Sequence, residues 1–203
     1  TGVAYDKKSY DRDYNDNEIL YKAFMSNKKG LPFISDTGEI YTDLKNAVFQ
    51  INTAFSQAVT GRISGQSFEV DDMIVEVTNP FANINLTSLT SDPIWDADRL
   101  LLTAAGDQRN TDEVRSKDGT AVVRGGTAPV LAEPIVGRIT LKTKDDITVY
   151  TISSTGRRHK TARVEKDENG YAVICLRAED ACMNYEIVRE KKAPGARAAN
   201  KHI

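Results

Sequence analysis

From Pro32 to Arg189 the chain is a succession of short β-type runs broken by turn formers, and no helical period takes over in that span. The runs fall at 38–43, 47–52, 56–64, 66–70, 73–78, 83–90, 98–105, 129–134, 136–142, 147–153, 159–165, 171–177 and 182–189. Ser64-Gly65, Asn79-Pro80, Asp92-Pro93, Asp118-Gly119, Gly125-Gly126, Thr155-Gly156 and Asn169-Gly170 punctuate them. Parallel strands need long crossovers, usually helical, so closely spaced runs of this kind must pair antiparallel. The expected fold is all-β, an antiparallel β-sandwich or jelly roll.

Local patterns sharpen this expectation. Ala47, Phe49 and Ile51 alternate with Val48, Gln50 and Asn52, which predicts a strand whose dry face is the odd-numbered set. The Arg99–Ala105 run lacks polar alternation and predicts a central strand buried on both faces, or nearly so. Asn169-Gly170 predicts a hairpin turn between 159–165 and 171–177, since both residues tolerate positive φ. Residues 106–128, rich in Gly, Asp, Asn, Arg and Thr, read as a long loop on the sheet scaffold, where binding groups concentrate.

The ends differ from the middle. Asn15 and Glu18 have capping-box spacing, and Ile19, Leu20, Ala23 and Phe24 behind them share one helical face. A single short amphipathic helix over 16–27 follows, stopped by Lys28-Lys29-Gly30. Residues 191–203 hold no apolar anchor and read as a linker or tail. The expected organisation is an N-terminal extension over 1–30, a β-sandwich domain over 31–190, and a tail over 191–203. Thr1 is not a natural initiator, so the chain reads as a segment of a longer polypeptide.

Charge narrows the partners. Residues 31–188 carry 16 basic and 23 acidic side chains, which opposes a phosphate-backbone partner and predicts no nucleic-acid binding. No apolar run approaches the ~20 residues of a membrane span, so no membrane partner is expected.

The order of several motifs resembles a known family. Ser35-Asp-Thr-Gly-Glu-Ile40 precedes Phe49-Gln-Ile-Asn-Thr-Ala-Phe-Ser-Gln-Ala-Val59, followed by Asp92-Pro-Ile94 and Asp98-Arg-Leu-Leu-Leu-Thr-Ala-Ala105. Asn110-Thr111 and Ala128-Pro-Val-Leu-Ala-Glu-Pro134 continue the series. From about Ser35 to Glu186 the chain resembles the C-terminal all-β accessory domain that follows the (β/α)8 barrel in bacterial glycoside hydrolases of the cellulase-like superfamily. Asp112 to Gly126 departs from that pattern. The resemblance implies a secreted, extracellular plant-polysaccharide-degrading system, with this chain as a non-catalytic, monomeric part beside a parent catalytic domain. A (β/α)8 barrel takes ~250 residues, too many for this chain to hold one.

Two functions follow. The first is a carbohydrate-binding module for a soluble β-glycan such as β-glucan or xyloglucan; the second is a structural accessory domain without a ligand. A small β-fold glycan hydrolase is a third reading that the residues do little to support. The 29 carboxylates offer many pairs but no spacing that singles out a general acid and its partner. His159 lies among Arg157, Arg158 and Lys160, and His202 lies in the tail, so neither is placed for catalysis. No Gly-x-Ser-x-Gly elbow is present. No catalytic residue and no cofactor are therefore expected. Asp11, Asp13, Asn15 and Asn17 alternate as calcium ligands would, but the sixth position lacks Gly and Lys22 stands at the twelfth. A structural calcium there competes with helix capping. Cys175 and Cys182 flank an expected turn, and its register favours buried free thiols over a disulfide.

Pyranose rings stack their C–H faces on aromatic planes while their hydroxyls bond to Asp, Asn, Gln and Arg. Trp95, the single tryptophan, lies beside a turn among acids and reads equally as a ligand platform or a packed loop anchor. Asp96, Asp98, Gln108, Arg109 and Asn110 are the expected hydroxyl partners. Asn110-Thr111 and Arg99 carry a structural alternative, that of fixing the loop.

Overall fold

The computed structural model describes residues 32–180 and 182–190. The expected helix over 16–27, the candidate calcium ligands and the tail lie outside these residues. In chain order the strands begin with β1 (Phe33–Ile34), β2 (Ile40–Asp43), β3 (Val48–Asn52), β4 (Ser56–Gly61), β5 (Ser67–Glu69) and β6 (Met73–Val77). Next come β7 (Ala82–Ser88), β8 (Arg99–Ala105), β9 (Gln108–Thr111), β10 (Val114–Arg115), β11 (Val122–Arg124) and β12 (Thr127–Ala132). The last six are β13 (Gly137–Leu141), β14 (Ile147–Ile152), β15 (Arg158–Thr161), β16 (Arg163–Lys166), β17 (Ala172–Leu176) and β18 (Asn184–Arg189).

These strands form an antiparallel β-sandwich. A nine-stranded sheet runs β1-β2-β3-β4-β7-β8-β18-β14-β15, and a five-stranded sheet runs β16-β17-β13-β6-β5. The chain crosses repeatedly between the two, so each sheet is assembled from distant segments. Pleating sends alternate residues inward, and the register aligns them into rows. Leu86, Leu102 and Tyr185 form one inward row of the large sheet, and Leu100, Ile187 and Val149 form another. Val75, Ile139 and Ile174 form the facing row of the small sheet. All of these side chains belong to one buried apolar cluster. Tyr185 keeps its hydroxyl satisfied by donating to the Cys182 carbonyl at 3.2 Å.

Several expectations are corrected. β8 is central, between β7 and β18, but only one of its faces is buried, because Leu101, Thr103 and Ala105 point away from the small sheet and are half-buried. In β3 the apolar set Phe49 and Ile51 lies on the outer face, while Gln50 pairs with the core residue Val59. Phe49 and Ile51 lie across from Thr42 and Ile40 of β2, so apolar contact between neighbouring strands stands in for burial between sheets. The segment 182–189 does not return beside 171–177: β17 belongs to the small sheet and β18 to the large one, and the chain crosses between them. Cys182 is buried, with its thiol donating to the Asn184 carbonyl at 2.8 Å, whereas Cys175 is only half-buried; both are unbonded. The 159–165 run divides into β15 and β16, one in each sheet. The Asn169-Gly170 hairpin is present between β16 and β17, but only Gly170 takes positive φ, at 78°.

One charged group is buried on the outer face of the large sheet. Glu186 of β18 receives Arg158 Nε at 2.6 Å and Arg99 Nε at 2.8 Å, so β8, β18 and β15 are tied across β14. The Arg158 guanidinium also stacks 4.3 Å from the Tyr150 ring centroid. Hydrogen bonds from Arg158, and then from Arg99, hold the Glu186 carboxyl down at about 2, against burial that pushes the other way.

Because the folded value lies below the ordinary 4.5, this stabilisation is complete above about pH 4.5 and drains away as pH falls towards about 2. Glu186→Gln should cost about 1–2 kcal/mol at neutral pH, the low end for a buried ion cluster since both arginines are half in water. Thermal melts should show a fall of about 2–8 °C at pH 7 that shrinks at pH 2–3.

Candidate functional site

The residues expected to bind ligand are not brought together. Trp95, Asp96 and Asp98 precede β8, whereas Gln108, Arg109 and Asn110 follow it on β9. The strand rise over Arg99–Ala105 alone separates the two groups by about 20 Å. Two distinct surfaces result, one at each end of the sandwich.

At the first end, the connection from β7 to β8 is pinned by apolar plugs. Ile94 and Ala97 are buried in the core, and a turn forms as the Asp96 and Ala97 amides donate to the Pro93 carbonyl at 2.9 and 2.8 Å. Asp92-Pro93 starts this turn because proline presets φ. With Ile94 and Ala97 facing inward, Trp95 between them is driven outward and is 58% exposed. Of the two alternatives for Trp95, the packed loop anchor does not hold; the anchors are its neighbours.

Arg189, the last residue of β18, locks the turn. Its Nη1 donates to the Trp95 carbonyl and its Nη2 to the Ile94 carbonyl at 2.9 Å. Its backbone amide donates to the Asp98 carbonyl at 2.9 Å. Burial pulls this guanidinium below its ordinary value, while Asp145, Asp72, Asp96 and Asp98 around it act in the opposite sense. Asp72 is itself raised by burial, although Gln57 Nε2 donates to its carboxylate at 2.7 Å.

A second aromatic, which the sequence reading did not select, stands beside this turn. Phe55 is 50% exposed on the β3–β4 turn. Its carbonyl accepts the Ser88 amide at 2.9 Å, and the carbonyl of the preceding Ala54 accepts the Ile94 amide at 2.8 Å. The two aromatic loops are thus bonded to one another through backbone. Leu89 adds a third exposed apolar side chain at this end. The signal for Phe55 was an aromatic in a turn between two strands, Thr-Ala-Phe-Ser, too common a pattern to single out without the neighbouring loop.

At the opposite end, residues 106–134 form two short ribbons rather than a structureless loop: β9 pairs with β12, and β10 with β11. An ion cluster holds them. Arg115 Nε donates to Glu113 at 2.7 Å, Arg115 Nη1 to Asp107 at 3.3 Å, and Arg109 Nε to Asp107 at 2.7 Å. Arg109 chiefly lowers the Asp107 carboxyl, and Arg115 that of Glu113. Asn110 donates its amide to the Gly125 carbonyl at 2.7 Å and Thr111 its hydroxyl to Pro129 at 2.8 Å. Asn110 and Thr111 therefore fix the excursion, and Gln108 Nε2 lies 3.8 Å from the Met183 sulfur. A cleft of about 710 Å³ opens beside this cluster, with Arg109 and Asn110 on its wall and Phe81 and Leu131 as its apolar part.

Among the described residues, no group of three or more His, Cys, Asp or Glu side chains is placed to share a metal ion, and no helix is long and apolar enough to cross a membrane. His159 is exposed on β15. Comparison with protein families, with curated proteins and with solved structures finds no match to this chain. The functional reading rests on the geometry of the two ends together with the sequence pattern.

Two outcomes test this geometry. Arg189→Met should cost about 1–3 kcal/mol through the lost charge-assisted bonds and should raise amide exchange over 93–98, measured by hydrogen–deuterium exchange. A Cβ on Gly126 would lie 2.3 Å from the Thr111 carbonyl oxygen at φ +66, so Gly126→Ala should loosen 107–132 while leaving exchange in β8 and β18 unchanged.

Proposed function

We propose that this chain is a non-catalytic carbohydrate-binding module of a secreted polysaccharide-degrading enzyme. It takes a soluble, neutral β-glycan chain at the Trp95–Phe55 end. The observation that carries the reading is the pose of Trp95: an aromatic ring kept in water, on a turn whose two carbonyls are clamped by the Arg189 guanidinium. An exposed aromatic of this kind is costly to leave uncovered, and a rigid one loses little entropy when a sugar ring stacks on it. Phe55 on the bonded neighbouring loop supplies a second apolar surface for the next ring. Asp96 and Asp98 stand beside the tryptophan as hydroxyl acceptors, and together with Asp92 they would repel a uronate-rich chain, hence the neutral ligand. Gln108, Arg109 and Asn110 have no part in this site.

A second reading, an accessory domain held against a parent catalytic domain, draws on a different observation: the exposed Val123, Val130 and Leu131 on the two short ribbons of residues 106–134. The two readings use opposite ends of the molecule and are compatible.

Affinity electrophoresis against xyloglucan, mixed-linkage β-glucan and a polygalacturonate separates the outcomes. Retardation is expected in the neutral glycans and not in the polyuronate. Trp95→Ala should weaken binding about tenfold or more, and Phe55→Ala by a smaller factor. Both variants should melt like the parent, since surface truncations stay within about 0.5 kcal/mol. Unchanged mobility across the panel, or reducing sugar released by the purified protein, would remove the proposal.

A further inference from the structure

The outer face of the large sheet is apolar where the chain enters it. Register puts Phe33 of β1 across from Thr42 of β2, and Thr42 across from Phe49 of β3. One row along, Ile40 of β2 lies across from Ile51 of β3, and Ile51 across from Ala58 of β4. Pleating sends all of these side chains to the side away from the small sheet. Ile40 is 40% exposed and Phe49 36%, and Ile51 is half-buried. Ser56 and Thr60 complete this face of β4, so no charged residue of β1 to β4 points outward. On the next strand, Asn83, Asn85 and Thr87 of β7 turn the face polar and bound the apolar patch.

Chain connectivity selects the occupant. Phe33 opens the first strand, and residues 1–31 lie immediately before Pro32. Within them Ile19, Leu20, Ala23 and Phe24 have the spacing of one helical face, and none of the four is charged. Only residues 28–32 separate 16–27 from β1, and a linker of that length reaches at most about 18 Å. The apolar stripe is thereby tethered beside the patch at an effective concentration of about millimolar, which a second copy would have to overcome. A helix as short as 16–27 is marginal in water and needs an apolar face to form against. The other end of the chain fits poorly: residues 191–203 hold no apolar anchor and follow β18, which β4, β7 and β8 separate from β3 in the sheet. We infer that residues 16–27 fold as an amphipathic helix on the outer face of β1 to β4, with Ile19, Leu20, Ala23 and Phe24 against Ile40, Phe49 and Ile51. This goes beyond the carbohydrate-binding reading and does not rest on it.

The test is NMR on the isotope-labelled full chain. NOEs are expected from the Leu20 and Phe24 side chains to the Ile40 methyls and the Phe49 ring. Amides of 19–27 should exchange about tenfold or more slower than random-coil rates. Ile40→Thr with Phe49→Thr, which keeps strand propensity, should return those amides to random-coil rates while exchange in β8 and β18 stays as in the parent. Leu20→Ser with Phe24→Ser should do the same from the other side of the contact, without touching a strand. Random-coil exchange across 19–27 in the parent would overturn the inference, as would protection there that survives Ile40→Thr with Phe49→Thr. Intermolecular NOEs to the Phe49 ring, in a mixture of labelled and unlabelled chain, would assign the face to a second copy and also overturn it.

Discussion

The closing strand β18 carries the interactions on which the remainder depends. It arrives last in the sandwich yet lies inside the large sheet, bonded to β8 on one side and β14 on the other. Its inward residues Tyr185 and Ile187 complete two rows of the core. Its outward Glu186 gathers Arg99 and Arg158 from β8 and β15, and its terminal Arg189 clamps the turn that presents Trp95. One six-residue strand therefore couples core, outer face and candidate site. Because every pairing of β18 is non-local, the site cannot form before the sheet closes.

The two ends of the sandwich solve opposite problems. At the Trp95 end, buried Ile94 and Ala97 force an aromatic outward, and a guanidinium holds the backbone that carries it. At the ribbon end, an ion cluster of Asp107, Arg109, Glu113 and Arg115 braces short strands whose Val123, Val130 and Leu131 stay in water. A monomeric domain gains nothing from either arrangement by itself, since exposed Trp95, Phe55, Val123 and Val130 forgo the free energy of burial. The first end presents separate aromatic surfaces suited to stacking on sugar rings. The second presents exposed aliphatic side chains spread over two short ribbons, with Val130 and Leu131 on opposite faces of one of them.

Much of the fold was legible in the residues. Turn formers at regular spacing, alternation, and the lack of helical period gave the antiparallel sandwich, and most runs match a strand within a few residues. The misses share a cause. In β3, alternation identified a strand but not which side would meet the other sheet, because the small sheet does not cover β3 with its Phe49 face. β9, β10 and β11 were read as loop because Gln-Arg-Asn-Thr and its neighbours lack apolar periodicity; ion pairs and side-chain bonds to backbone hold them instead.

Sequence alone determined the class of fold and the presence of a lone tryptophan in an acidic turn, because period and turn chemistry act over a few residues. Only the tertiary structure decided that Trp95, Asp96 and Asp98 lie at one end and Gln108, Arg109 and Asn110 at the other, that Phe55 joins the former, and that Asn110 supports a ribbon. Those facts depend on which strands become neighbours, and a seven-residue strand between two motifs sets them apart by its length whatever their proximity along the chain.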